Sequence, residues 1–585
     1  MTELFEPAGE HDARLVLGAD GLLGDLNRGG VLEAPDVHVA RRLGELGGES
    51  DERVLAAVGL AVRAVRHGSV CVDLATVPQV APALGWPEPA AWQAAVAGSP
   101  LLEAGAVRLE HGLLYLDRYH RLEEQVVADL RERAAQPPPV VDEPALAAAV
   151  ARVRGGHLSS EQEEAAVRAV RRWTTVLTGG PGTGKTTTVA RMLALVADQA
   201  AGAGRPLSIA LSAPTGKAAA RLQEAVLGEL AGLPDRDRDQ VGRVEAMTLH
   251  RLLGWLPDNT TRFRHDRGNR LKYDLVVVDE SSMVELTMMA RLLEAVRPQA
   301  RLVLVGDPRQ LTSVGAGAVL SDLVAGYDGQ PDSPVVSLTH NYRSTEDIKA
   351  LAEALRVGDA DGVLAALRTD SPEVEFVETE DAAPVLREGL VHHALRVRQA
   401  AESGDARAAT EVLDEHRLLC AHREGPHGVR HWNRLVEQWL GEETGVEIHS
   451  EWYAGRPLLV TANDYAVNVY NGETGVTVRR PDGRLRAVIA GSGGLLDLAP
   501  GRLDAIDTMH AMTIHKSQGS QAEEVTVLLP AADSRLLTRE LFYTAVTRAR
   551  SRLRVVGTEE AVRAAVAAQA QRATGLRQRL TDRRA

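Results

Sequence analysis

Gly179, Gly184, Lys185 and Thr186 stand at the spacing of a phosphate-binding loop, in Leu177-Thr178-Gly179-Gly180-Pro181-Gly182-Thr183-Gly184-Lys185-Thr186-Thr187-Thr188. Glycines let consecutive backbone N–H groups turn toward one anion, and the N-terminus of a helix adds partial positive charge. Lys185 is placed to reach the β- and γ-phosphates of a nucleoside triphosphate, and Thr186 to ligate Mg²⁺. Gly180, Pro181, Gly182, Thr183 and Thr187 complete the cradle. Two carboxylates, Asp279 and Glu280, end the apolar run Leu275-Val276-Val277-Val278. Asp279 suits the Mg²⁺ ion, commonly through water, and Glu280 suits a general base that polarises the attacking water. Gln310, in Gly306-Asp307-Pro308-Arg309-Gln310, is a neutral donor and acceptor able to sense a γ-phosphate and couple its loss to movement. Arg343, in Asn341-Tyr342-Arg343, and Arg548, in Thr547-Arg548-Ala549-Arg550, lie far downstream. Arginines so placed can come from a second domain to stabilise transition-state charge.

Two further segments keep two readings each. Ser208–Ala213 reads as a strand, and Pro214-Thr215-Gly216-Lys217 as a small polar turn into a helix. It is either a plain helix start or a contact for the phosphodiester backbone of a nucleic acid, since ligands bind at that end of parallel strands. Gln162, in Ser159-Ser160-Glu161-Gln162, is either part of a capped helix start or a partner for the adenine edge.

Strands must aim these groups. Thr174–Leu177, Ser208–Ala213, Leu275–Val278 and Arg301–Val305 are short apolar runs alternating with helical composition, the pattern of a parallel α/β sheet. Past Tyr327 the chain changes character. Pro457–Tyr465 and Tyr470–Val478, with Asn471-Gly472 and Pro481-Asp482-Gly483 as tight turns, read as a small β-barrel inserted in a second domain. Acidic Glu373–Asp381 is expected on a solvated surface. The end of the chain holds Arg572, Arg577, Arg579, Arg583 and Arg584, expected as a solvated tail or as a contact for nucleic acid or a partner. Upstream of the proline run Pro137–Pro139, helical stretches such as Val54–Val62 mix with short apolar runs and carry no chemical constellation. Docking is the expected role there, with Trp86 and Trp92 in the core.

Composition sets the bounds. The chain has 585 residues, 44% of them hydrophobic and 25% charged, which suits several ordinary globular cores. A net charge of −14 argues against a surface coated for nucleic acid, though a local basic channel remains compatible with it. Of 66 basic residues, only Lys185, Lys217, Lys272, Lys349 and Lys516 are lysine. Where Arg is used almost everywhere, a lysine marks a position that needs a compact ammonium. Lys272 and Lys349 have no motif and read as surface charges. Cys71 and Cys420 read as buried thiols of a reducing cytoplasm. No leader and no membrane-spanning apolar run is expected.

Taken together, the motifs resemble those of superfamily-one helicases and run in that family's order. They are Gln162, the phosphate loop, Pro214–Ala218, Thr248–Gly254, Asp279-Glu280, Gly306–Gln310, Asn341–Arg343, Thr513-Ile514-His515-Lys516-Ser517-Gln518-Gly519 and Tyr543–Arg550. Gly179–Thr188, Ala213–Leu222, Thr513–Gly519 and Tyr543–Arg550 resemble the RecD-like branch. Leu418–Val429, Trp452–Pro457 and Arg572–Leu576 are similar to the RecD family itself, the alpha subunits of exodeoxyribonuclease V, the RecBCD complex.

The resemblance implies two RecA-like parallel-sheet motor domains, a small SH3-like β-barrel insertion and a mainly helical N-terminal domain. The corresponding spans are 1–135 for docking, 136–328 and 329–585 for the motors, and about 455–508 for the insertion. It implies an ATP-driven, Mg²⁺-dependent 5′→3′ translocase on single-stranded DNA. Such a subunit works beside RecB and RecC at double-stranded DNA ends in break repair, with no membrane partner. Pro214, Thr215, His250, Thr513 and His515 would face DNA. The family usually has Glu at the place of Gln521, where it is thought to meet the ribose; Gln keeps a hydrogen bond and lacks the charge. None of the five lysines follows a Glu by two, so a Glu-x-Lys nuclease signature is absent and nuclease activity would belong to RecB. A free-standing RecD-like helicase, an ATP-gated scaffold without motor activity, and RNA as substrate stay open.

Overall fold

The computed structural model describes residues 4–9, 11–154, 158–256, 259–311, 315–342, 345–464, 466–491, 494–570 and 572–582. Up to Ala134 the chain is mainly helical. The Val54–Val62 stretch lies in the helix Glu52–Arg66, which starts at Asp51 because its carboxylate accepts the Arg53 N–H. β1 (Cys71–Asp73), β2 (Val107–Glu110) and β3 (Leu113–Leu116) form an antiparallel sheet in the order β1-β3-β2. Trp92 is fully buried and donates to the Arg53 carbonyl at 2.7 Å, with Trp86 packed at its side. The helix Asp117–Ala134 then leads to the proline run. Its Arg133 is buried and donates to the carbonyls of Trp173, Arg297 and Ala300, tying this unit to the start of the next sheet.

That sheet contains β4 (Thr174–Gly179), β5 (Ile209–Ala213), β6 (Ala246–Thr248), β9 (Leu275–Val278), β10 (Arg301–Gly306) and β11 (Val335–Leu338); β7 (Trp255–Leu256) and β8 (Asn259–Phe263) form a separate hairpin. All six strands are parallel, in the order β11-β4-β10-β9-β5-β6. Helices cover both faces, so β9 and β10 are apolar or buried at every position rather than alternating. β11 lies past residue 328, where a boundary was expected, yet it pairs with β4 and completes this first sheet.

β12 (Val374–Glu378), β13 (His416–Cys420), β19 (Ala511–Thr513), β20 (Ala522–Leu528) and β21 (Ala549–Gly557) form the second parallel sheet, in the order β12-β21-β20-β13-β19. The acidic stretch expected as plain surface is its edge strand. Val374 is buried while Glu375 meets Arg552 and Arg554, because an edge strand keeps charge on its wet side. Between β13 and β19 comes an antiparallel sheet of β14 (Pro457–Val460), β15 (Thr474–Arg479), β16 (Leu485–Gly491), β17 (Gly494–Leu498) and β18 (Ile506–Thr508). Its order is β17-β16-β15-β14-β18; pairing that would close it as a barrel is not present among the described residues. Alternation sends Val476 and Val478 into the core of the second sheet, while Leu458, Val460, Ala487 and Ile489 make a small core of their own.

The C-terminal segment is not a solvated tail. Among its described residues, the helix Leu576–Thr581 returns to the N-terminal unit, where buried Arg579 pairs with Glu110 and with buried Glu123. Arg577 is exposed as expected; Arg583 and Arg584 lie outside the described residues. Among the described residues, no helix is long and apolar enough to cross a membrane.

Candidate active site

The phosphate loop leaves β4 and enters the helix Lys185–Gly202, which presents one face to β4 and β10 and so fixes the loop at the carboxyl end of the sheet. Gly182 and Gly184 both have φ of +80°, a conformation that side chains resist. The Lys185 ammonium donates to the carbonyls of Gly179 (2.7 Å) and Gly180 (2.8 Å), which hold it at the loop's mouth. The Thr183 hydroxyl closes the loop on the Gly180 carbonyl at 2.9 Å.

Beside the loop opens a cleft of about 720 Å³. The first sheet lends it Lys185, Thr186, Asp279, Glu280, Asp307 and Gln310, and the second lends it Gly519, Gln521, Arg548 and Arg550. Pro181, Gly182, Gly184 and Thr187 line it too, although the Thr187 hydroxyl is taken by Glu229 at 2.7 Å. Burial, and then Glu280 beside it, push the Asp279 carboxyl up from its ordinary range. A cation in the cleft would relieve that pair. Glu280 has φ of +50°, left-handed backbone in a non-glycine residue at a strand end, a strained setting that concentrates at functional sites. Thr186 and Asp279 offer hydroxyl and carboxylate oxygen, the donor set that a hard ion such as Mg²⁺ requires.

The two sheets touch through a few polar contacts around this cleft. Gln310 is buried and donates to Asp307 Oδ2 at 3.2 Å, and the Tyr543 hydroxyl donates to the same oxygen at 3.2 Å. The Leu311 N–H donates to Thr544 Oγ1 at 3.0 Å, and Gln518 Nε2 to the Leu311 carbonyl at 2.8 Å. Arg221 donates to the Gly519 carbonyl. Arg548 is buried, donating to the carbonyls of Thr544 and Ser520, and faces the charges of Glu280 and Asp307. Gln521 Nε2 reaches the Thr547 carbonyl at 3.5 Å.

Of its two readings, Gln162 shows the capped helix start. Its Oε1 accepts the Ser159 N–H in a capping box and its Nε2 donates to the Thr183 carbonyl at 3.3 Å, so the amide is used in bracing the loop from behind. Arg343 lies outside the described residues. Asp307, Arg221 and Tyr543 had no assigned role in the sequence. Asp307 had a signal, an acid just past an all-apolar strand; Arg221 and Tyr543 earn their places only by distant contacts.

The candidate nucleic-acid residues come together at strand ends. Ala213 pairs with Thr248 across β5 and β6, which sets Pro214 and Thr215 beside His250. Thr215 caps the helix Gly216–Ala231, its hydroxyl accepting the Ala218 N–H at 3.2 Å. Cys420 pairs with Thr513 across β13 and β19, and His515 follows in the turn. Burial holds the His250 imidazole below its ordinary value of 6.5; burial and then the charge of Arg572 do the same to His515. Both are therefore neutral near pH 7. The turn between β14 and β15 lies between the two groups, with Tyr470 against Gly216 and Asn471 Oδ1 accepting from the Lys516 ammonium at 2.7 Å.

Comparison with known proteins agrees with this arrangement. Family models match at residues 28–115 (RecBCD enzyme subunit RecD, N-terminal domain), 162–316 (AAA domain) and 508–556 (UvrD-like helicase C-terminal domain). The chain is 58% identical over 576 residues to the RecBCD enzyme subunit RecD of Mycobacterium tuberculosis H37Rv, covering 97% of this chain and 98% of that one. It is 60% identical over 555 residues to that of Mycolicibacterium smegmatis, covering 94% and 98%. It is 33% identical over 487 residues to the ATP-dependent RecD2 DNA helicase of Deinococcus radiodurans, covering 82% of this chain and 60% of that one. By its identity over nearly the full length of the two mycobacterial relatives, the chain belongs to the family of RecBCD enzyme RecD subunits.

Proposed function

We propose that this chain is an ATP-hydrolysing 5′→3′ translocase on single-stranded DNA and the helicase subunit of a RecBCD-type complex. It acts with RecB and RecC on double-stranded DNA ends during break repair and recombination. The observation that carries this is the cleft, which gathers a phosphate loop and two carboxylates from one sheet and a buried arginine from another. We assign ATP as the substrate, with Lys185 and the loop amides holding its phosphates. Glu280 takes the proton of the attacking water. Arg548 stabilises the charge that develops, and Arg343 is assigned the same role. Thr186 and Asp279 would hold Mg²⁺, which when bound neutralises phosphate charge. Gln310 and Asp307 bond to each other, and Tyr543 of the second sheet shares the Asp307 oxygen. A change in the cleft therefore pulls on the other domain. Pro214, Thr215, His250, Thr513 and His515 hold the strand, so closure and opening alternate the grip of the two halves.

The test is DNA-stimulated ATPase activity and unwinding of duplexes tailed on either end, with RecB and RecC recovered by pull-down. Lys185→Ala should abolish hydrolysis and leave complex assembly intact. Hydrolysis that survives this change would refute the cleft; a stable monomer that unwinds DNA alone would favour a free-standing helicase, in line with the likeness to RecD2.

A further inference from the structure

Arg572 stands where the N-terminal unit, the loop after Gln310 and the Thr513–His515 turn meet. Its guanidinium lies against Gly68: a Cβ on that glycine would sit 2.9 Å from Arg572 Cζ and 3.1 Å from both Nη atoms. Nη1 donates to the carbonyls of Gly315 (2.6 Å) and Gly317 (3.4 Å). The Gly317 N–H donates to the Gly68 carbonyl at 2.9 Å, and the Val70 N–H to the Ala573 carbonyl at 2.9 Å. The segment around Arg572 is thereby laced between two other parts of the chain, and its side chain is held in one pose.

That pose leaves donors to spare. Nη1 is satisfied by carbonyls, while Nε and Nη2 have no acceptor among the described residues. Burial pulls the Arg572 pKa down, to about 10, and the Glu285 carboxylate lies against Gly315 without pairing with the guanidinium. A half-buried guanidinium with spare donors, held close enough to lower the His515 pKa, is placed to take an anion.

We propose that Arg572, seated on Gly68 and the Gly315–Gly317 turn, is a phosphate contact for a single nucleic-acid strand that continues past Thr513 and His515 onto the N-terminal unit. This rests on the nucleic-acid reading above. It gives the N-terminal unit a share in the track as well as a docking role.

The experiment uses the full chain and labelled oligothymidylates, one short enough to cover only the contacts from Pro214 to His515 and one longer, titrated by fluorescence anisotropy across a salt series. For the longer strand, Arg572→Ala should lose several-fold in affinity at low salt and flatten the salt slope by about 0.7, the value for one single-strand phosphate contact. The short strand should bind as to wild type, and Arg572→Lys should keep most of the slope. Unchanged slopes on both strands overturn the contact. Equal losses on both also overturn it, since they mark a brace for the loop. A wild-type chain that binds neither strand overturns the nucleic-acid reading itself, and this contact with it.

Discussion

Glu280 shows how much one residue's setting decides. Its backbone is left-handed at φ +50°, and its carboxylate stands beside Asp279 at a strand end, aimed into a cleft shared with Arg548. Replacing it with Gln keeps size and hydrogen bonding and removes the base. Glu280→Gln should lower the ATPase kcat by about 10²–10⁴, the usual worth of a positioned base. Nucleotide affinity should stay near wild type, and equal loss in both would mark a structural role. Asp279-Glu280 could be read from the sequence because two acids follow an all-apolar run. The capped start at Gln162 was legible too, but its second bond, to the Thr183 carbonyl, was not, since Thr183 lies in a different element.

At the scale of elements, the inserted sheet depends on close strand approach. A Cβ on Gly475 would meet the Val488 carbonyl at 2.1 Å and Ile489 Cα at 2.9 Å, both across β15 and β16. Gly475→Ala should cost about 1–3 kcal/mol, the range for overpacking, seen as a lower denaturant midpoint. The second parallel sheet carries an acid-sensitive feature. Burial lowers the pKa of His416 on β13 to about 3, of His393 to about 4 and of His510 to about 3. These folded values lie below the ordinary 6.5, so the unfolded chain binds more protons between about 6.5 and 3. Stability is therefore full above that range and falls as pH drops through it, by at most about 1.4 kcal/mol per pH unit for each histidine. Urea midpoints at pH 7.5 and 5.5 check this; a midpoint that does not fall on acidification would show the imidazoles to be solvated. The solvated surface expected at Glu373–Asp381 is there, but its strand β12 was not legible, because an edge strand and a charged loop share their composition.

Across the whole molecule, the chain's end closes on its beginning. Thr574, Gly575 and Arg579 all bond to Glu123, which is fully buried at the junction with the N-terminal unit. Glu123→Ala would leave a buried guanidinium short of its partner, costing about 3–5 kcal/mol. Limited proteolysis should then release the N-terminal unit early, and cutting rates like those of wild type would mean the C-terminal helix does not hold it.

The sequence by itself determined the chemistry and the fold class. A phosphate loop depends on glycine φ, a lysine and a helix start within a dozen residues, and buried parallel strands announce themselves as continuous apolar runs. Three of the five lysines, Lys185, Lys217 and Lys516, fell in motifs for the same local reason. Tertiary structure alone decided what meets across long separations. β11 joins the first sheet from beyond the expected boundary, Arg548 crosses to Glu280, and Arg572 reaches Gly68 and Gly315. Such contacts are set by packing and by the need to satisfy buried polar groups, and a single guanidinium among many arginines carries no local mark of where it will be buried.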